Sequence, residues 1–80
     1  MSEHLKLLGR RQELEMGKKS LEIRIRGLIE NLRDALDPLM EIGELRVDAI
    51  AEWAVELADA RDRYKQVLAG LKQIKDILGK

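Results

Sequence analysis

The chain has 80 residues, of which 38% are charged and 45% hydrophobic, and its formal net charge is zero. It contains no cysteine, which excludes disulfides and thiolate metal sites, and its size allows one domain at most. A single core of this length rarely supplies more than about 3–5 kcal/mol. We therefore expect oligomerisation to provide the remaining stability.

The first residues lack the apolar run of a secretory signal. No apolar segment approaches the roughly 20 residues needed to span a bilayer. The absence of cysteine is consistent with a reducing compartment. From these features we expect a soluble, cytoplasmic protein without a membrane partner.

The first predicted helix spans residues 3–36 and carries apolar residues at helical spacing. Its first half is weaker, because Gly9 and Gly17 each cost about 1 kcal/mol relative to alanine in a helix interior. Arg11 and Lys18 occupy polar positions of the same stripe. The predicted seam of this helix, meaning the stripe that packs against a second helix, consists of Leu7, Leu14, Leu21, Ile25, Leu28, Leu32 and Ala35.

Asp37 and Pro38 interrupt the helical pattern, because proline disfavours helical geometry at the preceding residue and suits a first helical turn. We predict that the chain reverses over residues 37–47, with one helical turn at residues 39–42. Asp48 is the predicted cap of the next helix. A single helix kinked at Pro38 is the alternative.

The second predicted helix spans residues 48–78 and has the clearest pattern in the chain. Apolar residues alternate at spacings of three and four over four heptads, which is typical of a helix that packs along one narrow stripe. Trp53 and Tyr64 are interpreted as packing residues whose polar atoms reach partners or solvent, not as ligand platforms. This half of the predicted seam consists of Ile50, Trp53, Leu57, Ala60, Tyr64, Val67, Leu71, Ile74 and Leu78.

Two such helices predict an all-α, antiparallel, coiled-coil-like hairpin. In the predicted register the numbers of facing residues sum to 85, as for Leu14 with Leu71; a shift of one heptad is the alternative. A hairpin leaves the apolar residues beside its seam uncovered, so we expect a homodimer that forms a four-helix bundle. The predicted flanking residues are Leu8, Ile29, Leu36, Ala49, Ala54 and Leu68.

The charges are distributed unevenly along the chain. Residues 1–20 and 63–80 carry excesses of two and four positive charges, and residues 37–62 carry an excess of six negative charges. A hairpin therefore has an acidic turn and a basic open end, roughly 45 Å apart at 1.5 Å per residue. Because this distance exceeds the Debye length of about 8 Å, each end acts locally, and we expect two hairpins to associate head to tail.

A row of carboxylates follows one face of the second helix at spacings of four, four and three: Asp48, Glu52, Glu56 and Asp59. Such rows can bind hard cations or, with Glu-x-x-His motifs, di-iron. The single histidine, His4, lies in the first helix and is expected to be solvated. We interpret the row as a solvated face or one that meets Arg24 and Arg33, and we expect no metal or cofactor.

Basic residues near the open end make nucleic-acid binding the alternative function. Basic-region zippers neutralise phosphates with a long, strongly basic helix. Here Glu13 and Glu15 interrupt the basic run. The candidate phosphate contacts are Arg10, Arg11, Lys18, Lys19, Arg63, Lys65, Lys72 and Lys75.

The sequence contains no arrangement typical of an enzyme. No histidine lies at a spacing that would activate the hydroxyl groups of Ser20 or Tyr64. The segment 17–20 is not a phosphate-binding loop, because the other glycine that the motif requires, five residues before Gly17, is replaced by Gln12. We predict a non-enzymatic, self-associating interaction module with a structural or regulatory role and a protein partner that the sequence does not identify.

The segments Arg33-Asp34-Ala35-Leu36-Asp37-Pro38, Leu45-Arg46-Val47-Asp48 and Ala51-Glu52 are followed by Leu78-Gly79-Lys80. Over residues 33–80 this arrangement resembles small uncharacterised helical proteins of Mu-like phages and prophages. The resemblance implies a phage-encoded protein of the bacterial cytoplasm and identifies no catalytic residue.

Overall fold

The computed structural model describes the backbone of residues 2–79 and the side chains of residues 3–79. Within that range the chain is all-helical: α1 spans Ser2–Ala35, a short 3-10 helix spans Ile42–Glu44, and α2 spans Val47–Leu78. The two long helices pack against each other along their length as a hairpin that measures 62 × 17 × 14 Å. The predicted all-α, two-helix hairpin is therefore confirmed.

The bounds of the two helices lie within one residue of the predicted ones. α1 ends at Ala35, and α2 begins at Val47. Gly9 and Gly17 lie inside α1 without ending it. The predicted domain also includes Met1 and Lys80, which lie outside the described residues.

Asp37 and Pro38 form the first part of the reversal. The backbone N–H of Met40 donates to the carbonyl oxygen of Asp37 at 3.1 Å, and the N–H of Leu39 donates to Asp37 Oδ1 at 3.0 Å. This is a β-turn with proline at its second position, where the fixed φ of proline fits, combined with an Asx turn. The reversal excludes the single helix kinked at Pro38.

The second part of the reversal is the short 3-10 helix Ile42–Glu44. The N–H of Glu44 donates to the carbonyl oxygen of Glu41 at 2.9 Å, and the N–H of Leu45 donates to that of Ile42 at 3.2 Å. The predicted helical turn at residues 39–42 is wrong. Asp37 already accepts the N–H groups at the start of that segment, so the next helical hydrogen bonds begin at Glu41.

The start of α2 differs from the predicted cap. Arg46 is the N-cap residue, and its side chain makes no capping hydrogen bond. The prediction that Asp48 caps this helix is wrong, because Asp48 lies inside the first turn, where its carboxylate instead interacts favourably with the helix dipole. The guanidinium of Arg46 lies 5.6 Å from the centroid of the Trp53 ring, within cation–π range.

Contacts across the hairpin agree with the predicted register to within one residue. The Tyr64 hydroxyl donates to Glu22 Oε2 at 2.8 Å. A Cβ added at Gly70 would lie 3.1 Å from Leu14 Cδ1. A shift of one heptad would separate each pair by about 10 Å along the helix axis, so the alternative register is excluded. Every predicted seam residue is buried or half-buried.

Candidate interaction surface

The seam is covered unequally on its two sides. With Leu57 and Ile25 assigned to heptad position a, the four buried side chains within residues 3–79 all occupy position d: Leu28, Ala35, Ala60 and Ile74. No a residue of the seam is buried; Ile25 and Leu57, for example, are half-buried, as are the remaining d residues of the predicted seam. In an α-helix position g lies beside d, and position e lies beside a. The g side of the hairpin is therefore better packed than the e side.

The side formed by the g positions is here termed the closed side. Gly70 belongs to it, and a Cβ at this position would nearly touch Leu14, so the two helices approach closely there. Ala35 and Ala60, at two d positions of the seam, are also small and are almost fully buried. The closed side consists of Arg10, Gly17, Arg24, Asn31, Ala49, Glu56, Arg63, Gly70 and Ile77.

The side formed by the e positions is here termed the open side. Its apolar side chains are exposed; Ile29, for example, has 42% of its surface accessible. Five of the six predicted flanking residues lie here, whereas Ala49 lies on the closed side and is half-buried. The open side consists of Leu8, Glu15, Glu22, Ile29, Leu36, Val47, Ala54, Arg61, Leu68 and Lys75.

Three shallow depressions follow the open side from the turn towards the open end. The residues of the first include Ile29, Leu32, Leu36 and Leu57. Those of the second include Ile25, Ala54, Leu57 and Ala58. The third is lined by Arg11, Glu15, Leu71 and Lys75. Leu57 lines both of the first two depressions, so these two adjoin and are formed by apolar residues of both helices.

A polar pair lies between the second and third depressions. The hydrogen bond from Tyr64 to Glu22 joins the two helices. This bond, the partial burial of the ring and the negative charge of Glu22 raise the pKa of Tyr64 above its ordinary value of 10.0, and the positive charge of Arg26 opposes the shift. The sequence analysis placed Tyr64 in the seam but missed its partner. The register rule pairs Tyr64 with Leu21, the residue immediately before Glu22.

The basic residues predicted to contact nucleic acid do not form one cluster. Arg10 and Arg63 lie on the closed side. The other six occupy a, b or e positions and border the open side: Arg11, Lys18, Lys19, Lys65, Lys72 and Lys75. Two of the eight form ion pairs within their own helix, Arg11 with Glu15 at 4.0 Å and Arg63 with Asp59 at 3.2 Å.

The predicted carboxylate row on α2 is exposed along its length. Asp59 pairs with Arg63, one turn further along the same helix, and the suggested pairing of the row with Arg24 or Arg33 is not found among the described residues. Within residues 2–79 no group of three or more histidine, aspartate or glutamate side chains is arranged to hold a metal ion. The row is therefore a solvated surface in this structure.

Both ends of the hairpin expose large apolar side chains. At the turn, Leu39 and Ile42 are 91% and 85% exposed and lie among acidic residues. At the open end, Leu5 and Ile77 are exposed in segments, 1–20 and 63–80, whose net charge is positive. Each end thus combines apolar surface with a net charge, and the two net charges are opposite in sign.

Comparison with protein-family models, curated proteins and solved structures finds no match for this chain. No helix within the described range 2–79 has an apolar stretch long enough to cross a bilayer. The phage resemblance of residues 33–80 stays a prediction. The function is therefore inferred from the open side itself.

Proposed function

We propose that this protein is a non-enzymatic helical interaction module that associates with a second copy of itself through the open side. The observation that carries this proposal is the imbalance between exposed and buried apolar residues. Among the described residues twelve large apolar side chains are exposed, whereas four apolar side chains are buried. Five of the twelve lie together on the open side: Leu8, Ile29, Leu36, Val47 and Leu68. Contiguous exposed apolar surface of this kind marks interaction sites in small proteins.

A second hairpin placed on the open side would complete a four-helix bundle. It would cover the e residues and the half-buried a residues beneath them, as the inward positions of such bundles are covered. Each apolar Å² removed from water contributes about 25 cal/mol. One side of the hairpin, 62 Å long and 17 Å wide, has a projected area on the order of 1,000 Å², above the roughly 800 Å² that each partner buries in a standard interface.

Molecular mass in solution tests this proposal directly. We expect light scattering and sedimentation to give about twice the 9.2 kDa chain mass for the unmodified protein at micromolar to millimolar concentration. Ile29→Lys places a charge on the open side and shifts the mass towards 9.2 kDa. The matched control is Ile23→Lys in the same helix, since Ile23 is 75% exposed and lies away from both sides of the seam, at position f.

Two outcomes would contradict self-association through the open side. One is a compact, cooperatively folded species of 9.2 kDa even at millimolar concentration. The other is an equal loss of dimer mass in Ile29→Lys and Ile23→Lys, which would place the contact elsewhere. Circular dichroism of both variants checks that they keep their helices.

The second candidate function is nucleic-acid binding, favoured by the six basic residues that border the open side. Gel-shift binding to a duplex oligonucleotide at about 50 and 200 mM salt tests it, because phosphate contacts give a steep salt dependence. We expect Lys65→Gln combined with Lys72→Gln to weaken such binding and lower its salt slope. Lys6→Gln, away from the bordering row, is the control. Absence of binding at the lower salt concentration removes this candidate.

The wider setting is proposed from the resemblance alone. It places the protein in the bacterial cytoplasm as a phage-encoded factor with a structural or regulatory role. A further protein partner, which the exposed apolar turn would suit, belongs to the same proposal. Co-expression of the chain with its neighbouring genes, followed by co-purification, tests it.

A further inference from the structure

Two residues of opposite charge occupy the middle of the open side. Glu22 is the third of the five e residues of α1, and Arg61 is the third of the five in α2. Tyr64 bonds to Glu22, and Arg61 lies one helical turn before Tyr64. The two charged residues therefore lie at nearly the same height, meaning the distance from the turn along the hairpin.

Neither charge has a strong partner within one chain. Glu22 is half-buried and accepts the Tyr64 hydroxyl through Oε2, but it forms no ion pair with any residue in the described range 2–79. Arg61 lines the second depression, and its guanidinium lies 3.4 Å from the exposed carboxylate of the next residue, Asp62. A second hairpin on the open side would remove water from Glu22 and Arg61, so each would then need a partner of opposite charge.

Two copies that join through their open sides have two two-fold arrangements. If the symmetry axis runs along the hairpin, every residue keeps its height, the two turns lie together, and α1 of one copy packs on α2 of the other. If the axis crosses the hairpin at its middle, heights are inverted. Each turn then lies beside the open end of the other copy, and like helices pack on each other.

Apolar contacts do not distinguish the two arrangements. Each arrangement sets the same number of apolar e residues against each other. Leu36, for example, meets Val47 of the other copy in the first arrangement and Leu8 in the second. The choice therefore depends on the charged residues.

The charged middle layer favours the first arrangement. When the axis runs along the hairpin, Glu22 of each copy faces Arg61 of the other, and the four charges alternate around the bundle. When the axis crosses the middle of the hairpin, Glu22 faces Glu22 and Arg61 faces Arg61. Removing like charges from water without partners costs much more than removing a pair of opposite charges. A single polar layer can fix the register of a helical assembly in this way.

The other charges have weaker effects, because they stay exposed to water. In the outer b rows, exposed Lys19 lies opposite Lys65 in the first arrangement and opposite Arg26 in the second, so like charges meet in both. The acidic turns repel each other in the first arrangement. Their carboxylates, such as Glu41 and Glu44, are exposed and are screened by salt beyond about 8 Å. Pairs of exposed charges contribute little, so the covered middle layer decides.

We propose that two copies of the chain pair through their open sides with both turns at the same end, so that Arg61 of each copy binds Glu22 of the other. This inference rests on the proposed self-association and adds its geometry and the residues that determine it. One oxygen of Glu22 accepts from Tyr64 of its own chain, and the other accepts from Arg61 of the second copy. The arrangement is opposite to the head-to-tail association that the charges of the two ends alone predict.

Charge reversals test the pairing of Glu22 with Arg61. Glu22→Arg sets two cations against each other, so we expect the dissociation constant of the dimer, measured by sedimentation, to rise by about tenfold or more. Arg61→Glu should have the same effect. A chain with both changes has opposite charges again and should regain most of the lost affinity. Glu30→Arg, at an exposed f position of α1, is the matched control and should leave the dimer unchanged.

A mixture of the unmodified chain and the double variant distinguishes the two arrangements. With the turns together, a mixed dimer sets like charges against each other at both positions, so each chain should pair with its own kind. With each turn beside an open end, mixed dimers are instead favoured. Isotope labelling of one chain and native mass spectrometry measure the share of mixed dimers. We expect fewer of them than random pairing gives.

Single cysteines and a short bismaleimide cross-linker test the geometry while Glu22 and Arg61 stay unchanged, since the chain has no native cysteine. We expect a cross-linked dimer when Leu36→Cys is mixed with Val47→Cys. Leu36→Cys mixed with Leu8→Cys should give none above the level of an Ile23→Cys control.

The opposite results overturn the inference. An excess of mixed dimers, or cross-linking of Leu8→Cys with Leu36→Cys, shows that the turns lie apart. Single reversals no weaker than Glu30→Arg, or a double variant as weak as the single ones, show that Glu22 and Arg61 do not pair. Self-association survives each of these results. A mass of 9.2 kDa for the unmodified chain removes the proposed function, and this inference with it.

Discussion

The closed and open sides of the hairpin cover the same seam to different degrees. On the closed side Gly70 lies almost against Leu14, and the d residues Ala35 and Ala60 are almost fully buried. On the open side Ile29 and similar residues stand beside a residues that stay half-buried. On the closed side the close approach of the two helices lies at a glycine, whereas the exposed apolar residues of the open side are large. The larger apolar residues lie on the side through which we propose that a second copy associates.

Core truncations on the two sides are the strongest test of this comparison. Leu28→Ala removes a buried d residue and is expected to lower the free energy of unfolding by about 2–5 kcal/mol. Leu57→Ala removes a half-buried a residue, so we expect a smaller loss in dilute protein and a similar loss where the dimer forms. Urea denaturation at low and high protein concentration measures both. A loss below about 1 kcal/mol for Leu28→Ala would show that the seam is not the main core.

Glycine replacements distinguish a tight site from an unobstructed one. Gly27 lies at an outward position of α1 and has no atom within 4 Å of an added Cβ in the described part of the chain. Gly27→Ala should therefore raise the free energy of unfolding by about 1 kcal/mol through helix propensity. Gly70→Ala should gain less, because Leu14 would have to move. Equal gains in thermal melts would show that the helices are not closely packed at Gly70.

Tyr64 provides the smallest effect, through pH. Its raised pKa means that the folded protein keeps the phenolic proton when the unfolded chain loses it. This contribution to stability is fully present below the unfolded pKa of 10.0 and is lost as the pH rises through the higher folded value. We expect the unmodified protein to lose more stability than Tyr64→Phe when urea denaturation is compared between about pH 9 and 11. Parallel losses would show that the bond to Glu22 does not persist in solution.

The spacing of apolar residues predicted the hairpin and limited its register to alternatives one heptad apart, between which the contacts of Tyr64 and Gly70 decide. Each helix has one apolar stripe, and Pro38 marks where the chain must leave the first helix. The turn was less predictable, because the side chain of Asp37 accepts a backbone N–H and displaces the expected helical turn. The prediction that Asp48 caps α2 was wrong, because α2 begins at Val47, one residue before Asp48.

The candidate surface was predicted in part. The exposure of Leu8, Ile29 and Leu68 follows from their place beside the seam. That they share one side of the hairpin can be predicted only when heptad positions are assigned to both helices. Ala49 was grouped with them because residue type alone does not separate position g from position e. Val47 was missed because it was assigned to the reversal. The pairing of Glu22 with Tyr64 depends on side-chain reach, which spacing does not give.

Trp53 is the only tryptophan of the chain, and its indole ring lies near a cationic group at the turn. Tyr64, the only tyrosine, is eleven positions further along the same helix, or about 16 Å away. The molecule therefore contains two natural fluorophores at different heights. If unfolding starts at the chain termini, the fluorescence of Tyr64 should change before the emission of Trp53 does. Intrinsic fluorescence, without any label, can then report the order in which the regions of the hairpin unfold.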